Sequence, residues 1–272
     1  MAERPELEAV VFDAGGTLVR LDFEWMAAVA TQIGYRVTAD RLRVAEVEGR
    51  RRYDASAAPR SAAPNGGDPG GAPQPLGARG DVRAYFGGML LATGMPHHLV
   101  GVTLVWYLAR ERASGLWARP NEGAREALDG VAALGLRRCV VSNSDGRAEQ
   151  HCAGAGVLAG LEFVVDSHHV GVEKPDPRIF AIALERLGVP PRRALYVGDI
   201  RSVDEAGARA AGMHFVLLDP RGDYAGADTP AIRSIAELPG WLERSFTLVR
   251  GGHAGSRAHA EPVLARAAPG AR

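Results

Sequence analysis

Four stretches of this chain place carboxylates, a hydroxyl and a cation where apolar runs stop. Val10-Val11-Phe12 gives way abruptly to Asp13-Ala14-Gly15-Gly16-Thr17, and Cys139-Val140-Val141 runs into Ser142-Asn143-Ser144-Asp145-Gly146. A third stretch reads Gly171-Val172-Glu173-Lys174-Pro175-Asp176. A fourth follows Ala194-Leu195-Tyr196-Val197 and reads Gly198-Asp199-Ile200-Arg201-Ser202-Val203-Asp204. A carboxylate such as Asp13 can attack an electrophilic phosphorus and carry it as an aspartyl-phosphate. Asp13 and Asp199 together suit Mg²⁺, a hard cation commonly held by one or two carboxylates plus phosphate and water. Such an ion lets an anionic nucleophile approach an anionic substrate. Asp204 is a further ligand or an outer partner, and reads equally well as a first-turn acid facing a helix dipole. Ser142, Asn143, Lys174 and loop N–H groups would hold the phosphoryl oxygens, and Thr17 would orient the loop carrying Asp13.

Composition narrows the field. The 272 residues are enough for one sizeable core, or a core plus a small second unit. Lys+Arg and Asp+Glu balance at 32 each, so no net field favours nucleic acid or an anionic membrane. No apolar run approaches the ~20 residues that span a bilayer. The charged start, Met1 to Glu6, lacks the form of a secretion signal, and Cys139 and Cys152 make neither a disulfide framework nor a metal-ligand spacing. A cytoplasmic protein acting on a small molecule is the expectation. Of the 32 basic residues, Lys174 alone is lysine. Arginine cannot replace a compact point charge in a tight site, but chance can also leave one lysine anywhere, so the neighbours of Lys174 decide.

The elements that must position these groups follow from periodicity. After the first strand, helical patterns cover 23–33, 41–53, 82–91 and 96–113, the last with Leu99, Val102, Leu104, Val105, Tyr107 and Leu108 on its apolar side. Between them, residues 54–80 are rich in Ala, Pro, Gly and Ser and are expected to be a disordered loop. From Pro120 onward, helices and strands alternate. Asp176-Pro177 starts one helix as N-cap and first residue. Ser202-x-x-Glu205 and Ser234-x-x-Glu237 read as capping boxes opening two more. This alternation predicts an α/β fold, a Rossmann-like doubly wound parallel sheet, with the four chemical stretches converging at one edge. The core is expected over 1–19 and 117–245, a helical unit over 20–116, and a disordered tail over 246–272. Trp25, Trp106 and Trp117 are read as core packing, and the pairs His97-His98 and His168-His169 as surface or loop residues.

In these motifs the chain resembles the haloacid dehalogenase (HAD) superfamily. FDAGGT looks like its first motif, VVSNS its second, EKPDP its third and GDIRSVD its fourth, in the right order over residues 8–19 and 120–220. The resemblance implies a HAD-like core with a helical cap inserted after the first motif, and Mg²⁺ held by Asp13, Asp199, Asp204 and the backbone carbonyl of Gly15. One position departs. Phosphatases of the family usually carry a second aspartate two residues after the nucleophile, where this chain has Gly15. Losing a general acid/base typically costs ~10²–10⁴-fold. The departure leaves three explanations: a good leaving group, such as an acyl phosphate or activated ester, that needs little protonation; a proton supplied by a cap residue or Asp145; or weak or absent turnover. The function read from this is an Mg²⁺-dependent hydrolase of small phosphorylated metabolites, with a 2-haloacid dehalogenase and a weakly active or inactive phosphate-binding protein as alternatives. Phosphonate hydrolysis, which needs a cap lysine, is closed, because there is no lysine outside the third motif.

Overall fold

The computed structural model describes residues 4–57, 81–224 and 228–250. Its strands are β1 (Glu6–Leu7), β2 (Ala9–Phe12), β3 (Val19–Leu21), β4 (Trp117–Pro120), β5 (Arg137–Ser142), β6 (Val164–Asp166), β7 (Ala194–Gly198), β8 (His214–Leu218), β9 (Ala231–Ile232) and β10 (Thr247–Leu248). The helices are α1 (Phe23–Gln32), α2 (Ala39–Ala57), α3 (Val82–Ala92), α4 (His97–Ser114), α5 (Ala124–Ala133), α6 (Ala148–Gly154), α7 (Ser167–Val170), α8 (Pro177–Leu187), α9 (Ala206–Ala210) and α10 (Leu238–Ser245).

Six strands form one parallel sheet in the order β6-β5-β2-β7-β8-β9. β2 is central and buried on both faces, which explains its unbroken apolar sequence. Val10 and Phe12 join a core with Ala127, Leu128 and Leu238 from α5 and α10. Ala9 and Val11 face the opposite core with Ile179, Phe180 and Ala183 from α8. From β2 the sheet extends through β5 and β6 on one side and β7, β8 and β9 on the other. The strand order therefore reverses between β2 and β7. At such a switch point a crevice opens beyond the carboxyl ends of the strands.

The helical unit leaves and re-enters through a narrow neck. β3 pairs antiparallel with β4, and the Asp22 amide donates to the Leu116 carbonyl at 2.9 Å. Helices α1 to α4 pack a core of their own around Phe23, Met26, Phe86, Met89 and Tyr107. Asp22 starts α1 by accepting from the Trp25 amide at 3.2 Å, and it also takes Arg110 at 2.8 Å. No helix among the described residues is long and apolar enough to cross a membrane.

Four local expectations are corrected. Residues 54–57 belong to the last turn of α2, because Asp54 is engaged by Ser202 and by the Tyr224 hydroxyl. The rest of the expected loop, 58–80, lies outside the described residues. In α4 the inward pair is Thr103 and Tyr107, which leaves Val102, Val105 and Trp106 exposed. Ser202 bonds Asp54 and does not cap a helix, while Glu205 binds Arg201, Arg209 and Thr229. Residues 201–205 instead form a π-helical turn leading into α9. Finally, Phe246 is buried and β10 pairs with β1, so the chain stays ordered past 245. The expected tail from 251 lies outside the described residues. The other two helix starts match: Asp176 accepts from the Arg178 amide and Ser234 from the Ala236 amide.

Candidate active site

Asp13 follows the last residue of β2 and is buried at the mouth of the crevice. Its loop bends sharply at Gly16, whose φ is +84°. A Cβ there would overlap Asp199 Oδ2, so glycine is what lets the loop approach β7 so closely. Asn121, just after β4, ties the loop down by donating to the Gly16 and Thr17 carbonyls at 3.1 and 3.0 Å. Thr17 is fully buried, and its hydroxyl has no hydrogen-bond partner among the described residues.

Lys174 is the hub. Its ammonium donates to Asp13 Oδ1 at 2.5 Å, Asp204 Oδ1 at 2.8 Å and the Tyr196 hydroxyl at 2.8 Å. Tyr196 in turn donates to the Val141 carbonyl at 2.9 Å. Burial works against the lysine charge, but Asp13 and Asp204 outweigh it and hold the pKa above the ordinary lysine value. Burial pushes Asp13 the other way, up to about 6 against the pull of Lys174.

Asp199 is held less tightly. Its Oδ1 is buried without a hydrogen-bond partner, and its Oδ2 lies 3.6 Å from the buried Arg50 guanidinium on α2. Burial, together with neighbouring Asp13 and Asp204, keeps its carboxyl well above the usual range despite Arg50. Asp204 Oδ2 accepts from the Asp199 and Ile200 amides at 3.1 and 3.0 Å, so both of its oxygens are engaged. Carboxylate oxygens of Asp13, Asp199 and Asp204 all lie within 4.8 Å of one another.

Beside this cluster is a cavity of about 480 Å³, lined by Asp13, Gly15, Ser142, Asn143, Lys174 and Asp204 and reaching into the helical unit. Asn143 also has an inward task. Its amide donates to the Lys174 carbonyl at 2.9 Å and its oxygen accepts the Lys174 amide at 2.7 Å, which clamps the third stretch against the second. The side chain expected to hold a phosphoryl oxygen is thus bound to backbone. Thr17 and Asp199 do not line the cavity, although Asp199 adjoins Asp13. His97 and His98 are exposed at the start of α4, and His168 and His169 meet edge to face beside Gly146. Trp117 is the unexpected wall: a Cβ built on Gly15 would lie 3.1 Å from its indole nitrogen. Arg50, Tyr196, Asn121 and Trp117 complete the site, and none carried a distinguishing signal in the sequence.

Residues 7–212 match the family model for haloacid dehalogenase-like hydrolases. The mouse "Haloacid dehalogenase-like hydrolase domain-containing protein 3" is 45% identical over 97 residues, covering 36% of this chain and 39% of that protein. A "Glyceraldehyde 3-phosphate phosphatase" of Methanopyrus kandleri is 52% identical over 69 residues, covering 25% of this chain and 29% of that protein. These matches therefore span less than half the length of either relative. A solved dehalogenase with an intermediate complex shares 21% identity and a TM-score of 0.57, over 89% of this chain and 99% of its own. At that identity the likeness concerns the fold alone. Sheet order, strand-end carboxylates and family match agree: the chain belongs to the haloacid dehalogenase-like hydrolases.

Proposed function

We propose that this protein is an Mg²⁺-dependent phosphatase of small phosphorylated metabolites, with Asp13 as nucleophile and the helical unit as a cap over the site. The observation that carries this reading is the buried junction of Asp13, Lys174 and Asp204 beside Asp199. The resemblance to a named phosphatase over 69 residues supports it.

The acids fit a bound cation. Among the described residues, the cations paired with these three buried carboxylates are Lys174 and Arg50, and Asp199 Oδ1 is left without a partner. An unpaired buried carboxylate oxygen is costly, and a hard cation would satisfy it. Asp13 and Asp199 would hold Mg²⁺ together with the Gly15 carbonyl. When bound, the ion would offset charge between nucleophile and substrate. Asp204 already serves three donors, so its role is to fix Lys174 and the Asp199 loop.

Lys174 orients Asp13 and offsets its charge as a phosphoryl group approaches. Asp13 Oδ then bonds to phosphorus, giving an aspartyl-phosphate that water hydrolyses. Ser142, at the cavity edge, supplies a hydroxyl for a phosphoryl oxygen. Cys139 and Cys152 are buried free thiols, which fits a reducing cytoplasm.

The test is phosphate release from p-nitrophenyl phosphate and acetyl phosphate, with and without Mg²⁺, beside Asp13→Asn. Mg²⁺-dependent release that falls on the order of 10⁴-fold in the variant is expected. Chloride release from 2-chloropropionate without metal, and no phosphate release, would replace this reading with dehalogenation.

A further inference from the structure

The cavity beside Asp13 offers a leaving group little that could protonate it. On the nucleophile loop itself, Gly15 has no side chain, and Trp117 occupies the space a longer one would need. Lys174 is committed to three oxygen acceptors. Asp145 pairs with Arg147 at 2.6 Å, and that arginine holds its carboxyl below the ordinary range. Two further titratable groups, Glu111 and His151, stand on the wall. Glu111, which burial pushes above its ordinary pKa, accepts the Leu116 amide at 2.6 Å. His151, whose Nε2 has no hydrogen-bond partner among the described residues, is held below its ordinary pKa by burial and Arg147 and so is a poor acid.

The rest of the wall is mainly apolar: Tyr53, Val82, Tyr85, Leu108, Trp117 and Val203 surround the space beyond the phosphoryl position. The Tyr85 hydroxyl is already turned to Glu46 at 2.7 Å. A polyhydroxylated leaving group would lose its water there with few partners in exchange, a cost for each buried hydroxyl. An aromatic or aliphatic body would gain from the same wall.

We propose that the site takes monophosphates whose leaving group is apolar and of low basicity, aryl or acyl phosphates, with Trp117 as a specificity-determining wall. This rests on the phosphatase reading above and names its substrate class. Asp13 Oδ forms the bond to phosphorus while the bond to the leaving oxygen breaks. The electron pair departs on that oxygen as phenolate or carboxylate, and no proton is transferred. Water then bonds to phosphorus, the Asp13 Oδ–P bond breaks, and dihydrogen phosphate leaves, losing a proton to solvent.

The experiment uses the full chain with Mg²⁺ and three sets of phosphates. These are substituted phenyl phosphates of graded phenol acidity, acetyl and benzoyl phosphate, and glycerol phosphate. A kcat/KM for p-nitrophenyl phosphate about 10²–10⁴-fold above that for glycerol phosphate is expected, the span a general acid normally supplies. Benzoyl phosphate should outperform acetyl phosphate, with that preference reduced in Trp117→Ala. The double variant Gly15→Asp, Trp117→Ala, which gives a new carboxyl room, should flatten the leaving-group dependence. If it fails to fold, the unaltered protein's substrate series still decides. Glycerol phosphate turned over as fast as p-nitrophenyl phosphate, and lost in Asp13→Asn, would overturn this proposal and leave the phosphatase standing. Glu111→Gln beside His151→Asn would then identify the proton source. Absence of turnover with every phosphate would overturn both.

Discussion

Lys174 and Asp13 are 161 residues apart in the chain and 2.5 Å apart in space, joined in a pocket from which water is almost excluded. Each needs the other, because an unpaired charge at this depth is strongly disfavoured. Lys174→Met should therefore cost about 3–5 kcal/mol in denaturant unfolding, the usual penalty for breaking a buried pair from one side. Lys174→Arg keeps the charge but replaces a compact ammonium serving three acceptors by a wide planar fork. Its stability loss should be smaller, while turnover falls about 10²-fold, the effect of a ~1 Å misplacement of reacting groups.

Asp199 shows the opposite balance. Its carboxyl is held well above the ordinary range by burial, so its charge opposes folding when no cation is bound. Asp199→Asn should raise the melting temperature of the metal-free protein and abolish any rise on adding Mg²⁺. For a chain of this size the gain is about 2–4 °C per kcal/mol relieved. A variant that still gains stability from Mg²⁺ would remove Asp199 from the ligand set. Asp13 implies a related trend. With its pKa lifted from 3.8 to about 6 by burial, the fold binds more protons than the unfolded chain between those values. Its contribution thus erodes stability as pH rises from about 4 to 6, and Mg²⁺ should restore it.

Gly16→Ala tests how closely two strands must meet. A methyl group there faces both a positive φ and Asp199 Oδ2. The substitution should cost roughly 1–2 kcal/mol from the backbone alone. It should also displace Asp199, lowering turnover and weakening the Mg²⁺ response together. Retained Mg²⁺ response with only a stability loss would show that the loop shifts without moving the acid.

Asp22 links acidity to the neck of the helical unit. Burial raises its pKa, but the Trp25 amide, Arg110 and Arg119 outweigh that and leave it depressed. Its stabilising effect is therefore present above the unfolded value of 3.8 and is lost as pH falls through the folded value. Asparagine can still cap α1, but it cannot pair with either arginine. Asp22→Asn should cost about 1–2 kcal/mol at pH 7. Urea unfolding at low pH should show no difference from the unaltered protein, and a difference that persists there would contradict the electrostatic account.

What could be seen in the residue string was whatever is local. Strands that end in polar residues, and helices that start at Asp176-Pro177 or Ser234, declare themselves within a few positions. The sheet followed from that, and so did the expected meeting of Asp13, Ser142, Lys174 and Asp199, although Asp199 lies against Asp13 and not on the cavity wall that the other three share. Arg50 was hidden because it is one arginine in a chain crowded with them, on a helix whose docking on Asp199 is a tertiary event. Tyr196 read as one more strand residue, although its hydroxyl supports Lys174. Asn143 was expected to face substrate, but a side-chain amide beside an unpaired backbone turns to whichever partner is nearest. Trp117 and Gly15 are distant in sequence, and only the antiparallel neck brings them together.

The central place of β2 has a consequence for synthesis. Of the six strands in the parallel sheet, the one that delivers Asp13 is made first, yet its neighbours are β5 and β7, more than a hundred residues later. A nascent chain paused after α4 holds α1 to α4 of the helical unit but only one strand of the six-stranded sheet. Asp13 is then without its partners until Lys174 and Asp204 have left the ribosome. Asp13, Lys174, Asp199 and Asp204 come together in one late closure, so under the function proposed above incomplete chains cannot carry out the chemistry.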